Sequence, residues 1–372
     1  MTKDQVKKIL SEINYPGFNR DIVSFGLVEN ISISNKEIVV SLKISSEKSK
    51  QEDVKSAVVN KLSSLDYFEK IDVNVLGTPQ PIGGMSKPEK PEKVERIIAV
   101  ASGKGGVGKS TIAANIACAL LKKGHSVGLL DLDIYGPSLP IILGMNESPQ
   151  LTQMKKLVPL DWNGLKVMSF GFISGNDSPA IWRGPLVARM TEQFFSDVLW
   201  GELDYLILDL PPGTGDIQLT LTQKIQMTGA VIVTTPQDIA LSDVRKGADM
   251  FRKVNTPVLG VIENMSGLTL TGSVLDAEDE TVDKGTIQLG EEGKIKLDKN
   301  GEFSFTIDLF KKGGGEKESQ RLGVPLIGKI PVSKSITDST DSGIPLTYSS
   351  PDHPNSKEFF SITSKIKSEL SH

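Results

Sequence analysis

The chain has 372 residues, 38% hydrophobic and 24% charged, an ordinary globular balance with length enough for two domains and a full core. Its formal net charge of −4 supplies no global positive field to hold a nucleic-acid backbone, so nucleic acid is not an expected partner. The single cysteine, Cys118, excludes an intrachain disulfide and a cysteine-rich metal site within one chain; with no signal-like start and no long apolar run, a cytoplasmic protein without a membrane span is expected.

Residues 1–78 read as a small α/β domain. Val6, Ile9, Leu10 and Ile13 share one helical face; Ile31 and Ile33, then Ile38, Val40, Leu42 and Ile44, alternate as strand residues do. Val54, Ala57, Val58, Lys61 and Leu62 predict a second helix, and Ile71, Val73 and Val75 another strand. Pro79, Pro81, Gly83, Gly84, Pro88 and Pro91 follow among lysines and glutamates. Prolines remove backbone donors and glycines loosen the chain, so 79–93 is expected to be a linker and 94–372 the second domain.

That domain opens with the apolar run Ile97, Ile98, Ala99, Val100 and Ala101, then Gly103, Lys104, Gly105, Gly106, Val107, Gly108, Lys109, Ser110 and Thr111, with Ile112, Ile116 and Leu120 beyond at helical spacing. Strand, glycine-rich loop and helix in that order form the context of a phosphate loop. Glycines let consecutive N–H groups turn inward on a polyphosphate, and the positive end of the helix adds to the attraction. Lys109 would then reach the β and γ phosphates of ATP, and the Ser110 hydroxyl would take one place on Mg²⁺. Cys118, inside the helix, is expected to be a small buried hydrophobe.

The next strand, 127–130, ends on Asp131 and Asp133, which alternation turns to one side, beside the phosphates; two carboxylates there can organise Mg²⁺ and its waters. Tyr205, Leu206, Ile207 and Leu208 form an apolar strand closing on Asp209, a metal-reaching acid beside a phosphate loop. Strands at 230–234 and 258–262, separated by a helix, complete an α/β domain with a mostly parallel sheet. Ile295 and Leu297, then Phe303, Phe305, Ile307 and Leu309, alternate around Asp298, Lys299, Asn300 and Gly301, which predicts a hairpin in a β insertion at about 268–309. The acidic run 276–280 lacks calcium-loop spacing and reads as solvated. Phe359, Ile362, Ile366 and Leu370 form a helical stripe expected to pack in the core rather than grip a membrane.

Lys104, directly after Gly103, makes the loop a deviant form that resembles the family of MinD, ParA, ArsA and nitrogenase iron protein. The resemblance implies a homodimer in which Lys104 reaches the partner subunit's nucleotide and Asp133 orients the attacking water. The catalytic set implied is Lys104, Lys109 and Asp133, with Ser110, Asp131 and Asp209 toward the metal. Gly136 to Ser138, Trp182 to Pro185 and Asp209 to Asp216 resemble more closely the Mrp (ApbC) family of iron–sulfur cluster carrier ATPases. Membership implies adenine contacts at Asn264 and Pro331, a [4Fe–4S] cluster shared between protomers, and iron–sulfur assembly proteins or apo-protein clients as partners. Arg183 is expected at a surface or interface. Tyr15 to Gly17 with Asp21 to Val28 resembles the small MIP18-like assembly domain often found before such ATPases.

The chain departs from both patterns where thiols are expected. Residues 44–50 contain no cysteine, and after Asn264, Met265 and Ser266 the family's Cys-x-x-Cys is replaced by Gly267, Leu268, Thr269, Leu270, Thr271 and Gly272. Thiolate is the ligand such clusters use. The expectation is therefore a Mg²⁺-dependent ATP-hydrolysing homodimer in iron–sulfur assembly or transfer, with an ATP-gated interaction switch or scaffold that carries no cluster as the alternative. DNA partitioning is a weaker third reading.

Overall fold

The computed structural model describes residues 1–371 apart from 16–20, 45–47, 77–89, 175–194, 283, 291–292 and 311–312. Trp182 to Pro185, with Arg183, and most of the proline-rich segment lie outside the described residues.

The first helix, Lys3–Leu10, begins at a reciprocal cap: Thr2 Oγ1 accepts from Gln5 N–H at 3.3 Å, and Gln5 Oε1 accepts from Thr2 N–H at 2.8 Å. It buries Val6 and Leu10. Strands β1 (Val28–Ser34), β2 (Glu37–Lys43) and β3 (Lys70–Leu76) form a sheet in that order. β1 and β2 are antiparallel, turning through Asn35 and Lys36 at positive φ; β2 and β3 are parallel, because the helix Lys48–Ser63 carries the chain across. The predicted apolar positions of both helices and all three strands, Ile9 excepted, meet in one cluster that includes the buried Leu10, Ile38, Val58 and Val73.

Among the described residues, the larger sheet has nine strands. Its parallel body runs β14 (Leu326–Val332), β10 (Val258–Ser273), β9 (Gly229–Thr234), β4 (Val94–Ser102), β8 (Leu203–Asp209), β5 (Val127–Asp131) and β7 (Leu165–Ser169). β6 (Leu160–Trp162) adds antiparallel to β7. β5 and β9 are buried along their whole lengths, as strands covered on both faces must be. The helix Lys109–Lys122 lies against β4, β5 and β8, and the C-terminal helix Pro354–Leu370 covers it and β14. Gly328 in β14 permits that cover, since a Cβ there would sit 2.4 Å from Ile362. Phe359, Ile362 and Ile366 are buried, as the stripe predicts, and Leu370 packs at the core's margin. Cys118 is fully buried, and that burial pushes its thiol up to about 12.

The predicted hairpin is corrected in one respect. Asp298 to Gly301 does turn, with Asp298 Oδ1 accepting from Asn300 N–H at 2.8 Å and Glu302 N–H at 2.9 Å. The arms, however, pair elsewhere: β12 (Gly293–Lys296) with β11 (Thr286–Leu289), and β13 (Glu302–Ile307) with the outer half of β10. β10 reaches well past the predicted 258–262, setting Leu268 opposite Ile307 and Leu270 opposite Phe305. Those apolar pairs outcompete the lysine-flanked β12, and local alternation carries no information about which strand is the partner.

Candidate functional site

The parallel strands β4, β5 and β8 end in near register beside the loop 103–108. Gly106 and Gly108 hold φ of 79° and 80°, a left-handed backbone that glycine adopts without steric cost. Gly108 is needed twice over, because a Cβ would lie 2.3 Å from Asn264 Nδ2. That amide donates to Val107 O at 2.8 Å, so β10 holds the loop against the sheet. Ser102 Oγ donates to Lys104 O at 2.9 Å, and Lys104 Nζ turns to Gln237 Oε1 at 3.4 Å, just before the helix Asp238–Lys253.

Behind the loop lies a buried charge cluster. Lys109, only 6% exposed, pairs with the fully buried Asp209 and donates to Ser110 Oγ at 3.3 Å. The other carboxylate oxygen of Asp209 is buried with no hydrogen-bond partner. Asp131 stands opposite Asp209 in the β5–β8 register. Its Oδ1 accepts from Asp133 N–H at 3.0 Å, and its Oδ2 from Ser169 Oγ at 3.0 Å and Leu139 N–H at 3.4 Å. Burial, reinforced by the Asp209 charge, pushes the Asp131 carboxyl up to about 7. Burial also raises Asp133, with Lys109 opposing; Asp133 Oδ1 accepts from Gly136 N–H at 3.3 Å.

Beside Gly108 opens a cleft of about 270 Å³ lined by Thr111, Asn264, Met265, Pro331, Thr337 and Asp341 among others. Both expected base-contacting positions, Asn264 and Pro331, therefore share a cleft with the phosphate loop. Ser169 and Gln237 escaped sequence reading. For Ser169 the available signal was position alone, at the carboxyl end of a parallel strand, and the strand itself is short.

The donor set suits Mg²⁺: a hydroxyl at Ser110 and an orphaned oxygen on Asp209 are hard ligands beside a phosphate cradle. No cluster of three or more His, Cys, Asp or Glu side chains assembles a metal site among the described residues. Asp131 differs from Asp209, since both its oxygens already accept from protein groups. A thiolate-held cluster does not fit this chain, whose one cysteine is buried in the helix 109–122. Among the described residues, no helix is long and apolar enough to cross a membrane.

A parallel sheet ending on a deviant phosphate loop, with acids at the ends of β5 and β8, defines a P-loop nucleotide-binding protein of the MinD and ParA class. The chain belongs to the NUBPL iron-transfer P-loop NTPase family, whose profile matches residues 93–285 and 299–367, and residues 3–75 match that of an iron–sulfur cluster assembly protein domain. It is 37% identical over 380 residues to an iron–sulfur cluster carrier protein of Synechocystis, covering 100% of this chain and 98% of that protein. With the iron–sulfur cluster transfer protein NUBPL of Dictyostelium discoideum it shares 39% identity, over 74% of this chain and 76% of the other. A nucleotide-binding protein from Archaeoglobus fulgidus, solved in complex with ADP, superimposes with a TM-score of 0.55 at 33% identity, covering 72% of this chain and 93% of that one.

Proposed function

We propose that this protein is a Mg²⁺-dependent ATPase that hydrolyses ATP to ADP and phosphate as a homodimer and serves iron–sulfur cluster assembly or transfer. The observation that carries the reading is the Lys109–Asp209 pair buried behind a glycine loop, with a cleft for a nucleoside at its side. On binding, the triphosphate takes Lys109 from Asp209, and the loop N–H groups hold the β and γ phosphates. Ser110 Oγ and the orphaned Asp209 oxygen would hold Mg²⁺, which supplies charge neutralisation across the β and γ phosphate oxygens. Asn264 and Pro331 flank the base. Asp133 orients a water toward the γ phosphorus; the new P–O bond forms as the β–γ bridge breaks, and the water's proton leaves on phosphate. Lys104, which rests on Gln237 in this state, would deliver its charge to the partner's nucleotide when two protomers close.

Lys109→Ala is expected to lower ATP affinity and to reduce turnover by about 10²-fold or more, read by equilibrium dialysis and phosphate release. Undiminished turnover would sink the proposal.

A second reading is supported by the absence of a Cys-x-x-Cys after Ser266: an ATP-gated scaffold or switch that carries no cluster itself and presents the β10–β13 ribbon to a client. Anaerobic reconstitution with iron and sulfide separates the two. A cluster bound per dimer and passed to an apo-acceptor favours the carrier; colourless protein whose client binding requires ATP favours the switch.

A further inference from the structure

Asp133 is the group on which water positioning depends, yet it sits in a turn rather than on the sheet. What holds that turn is a chain of hydrogen bonds from a neighbouring strand. Gly171 N–H donates to Ser169 Oγ at 3.1 Å, and Ser169 Oγ donates to Asp131 Oδ2 at 3.0 Å. Asp131 in turn receives Leu139 N–H at one end of the turn and Asp133 N–H at the other. Ser169 and Asp131 are directly opposed in the β5–β7 register and both fully buried. The hydroxyl therefore has a single aim: it fixes the rotation of the Asp131 carboxylate, and that rotation fixes both ends of the 133–139 turn. The same segment approaches the turn closely, so that a Cβ on Gly171 would lie 3.2 Å from Pro137 Cβ and 2.8 Å from Pro140 Cγ just beyond it.

We propose that Ser169 is a positioning residue for hydrolysis, acting through Asp131 to set where Asp133 meets the attacking water. The proposal rests on the reading of this chain as an ATPase that uses Asp133. Ser169 does not line the nucleoside cleft and meets the site through Asp131, so ground-state binding is expected to be spared and the chemical step is not.

The test uses the full chain with Mg²⁺ and ATP, following labelled phosphate release, ATP binding and thermal unfolding. Ser169→Ala is expected to lower kcat about tenfold while KM for ATP stays within about twofold. In an Asp133→Asn background, itself about 10²-fold slow, the same change should cost nothing further, because the group it positions is gone. Gly171→Ala, which leaves the hydroxyl in place and displaces the turn from outside, should reproduce the kcat loss and serves if Ser169→Ala does not fold. Unchanged kcat in Ser169→Ala or Gly171→Ala overturns the proposal, as does a loss of equal size in the Asp133→Asn background, or a parallel fall in ATP affinity. Full turnover by Asp133→Asn alone overturns instead the reading of Asp133 on which the proposal stands.

Discussion

A buried acid beside another acid is costly to ionise, and Asp131 carries that cost. Its folded pKa, about 7, lies above the ordinary carboxylate value, so the folded state binds the proton more tightly than the unfolded chain does. The stabilisation is full below the unfolded value near pH 4 and is lost as pH rises toward 7. In nucleotide-free protein, stability from urea unfolding is therefore expected to fall across that window by roughly 1–4 kcal/mol, beyond the trend of an Asp131→Asn variant. Parallel pH profiles for the two proteins would refute this. The proposed placing of Mg²⁺ also belongs to this scale: Asp209 keeps one oxygen unpartnered and Asp131 does not, although each reads in sequence as an acid closing an apolar strand.

At the scale of elements, the helix Lys109–Lys122 is held from two sides, by the sheet and by the C-terminal helix. Lys123, just past its end, donates to Phe360 O at 2.8 Å, Thr363 Oγ1 at 2.9 Å and Ser364 Oγ at 2.7 Å. The short helix Leu346–Ser349 just before the C-terminal helix adds a further hold: Asn115 Oδ1 receives both Thr347 N–H at 3.0 Å and Thr347 Oγ1 at 2.8 Å. The C-terminal helix is thus a buttress for the phosphate-loop helix. Phe359→Ala should cost about 3–5 kcal/mol in unfolding free energy, measured by denaturant melts. A cost below about 1 kcal/mol would show that the buttress is dispensable. Gly108→Ala should do more local damage: it meets Asn264 and strains a left-handed backbone, so ATP binding should be lost, read by dialysis, while the melt shifts by only about 1–3 kcal/mol.

At the scale of the whole molecule, Lys104 lies at the site's rim and, among the described residues, its ammonium meets Gln237 of its own chain. If closure of two protomers delivers it, Lys104→Ala should reduce turnover about 10- to 10³-fold with ATP affinity nearly intact, and wild-type specific activity should rise with protein concentration. Activity independent of concentration would remove the homodimer from the mechanism. The missing thiols bear on this scale too. Where the resemblance implies a cluster bridging two subunits, β10 runs on from Asn264 into a ribbon with Leu268, Leu270, Phe305 and Ile307 on one face and Thr269 and Thr306 on the other.

Amino-acid order alone specified the phosphate loop, because its chemistry requires particular residues at fixed neighbouring positions: glycines at left-handed φ, a lysine, a hydroxyl. It determined the parallel sheet as well, since strands buried on both faces read as unbroken apolar runs. It also disclosed that the Cys-x-x-Cys pair is missing, since the chain has one cysteine in all. Pairing across distance emerged with the folded chain alone: that β13 joins β10 and not β12, that Asn264 grips Val107, and that Ser169 bonds Asp131. Each joins residues far apart in the chain, and a hydrogen bond between remote groups leaves no periodic trace in the order of amino acids; it exists only once the sheet has set the strands side by side.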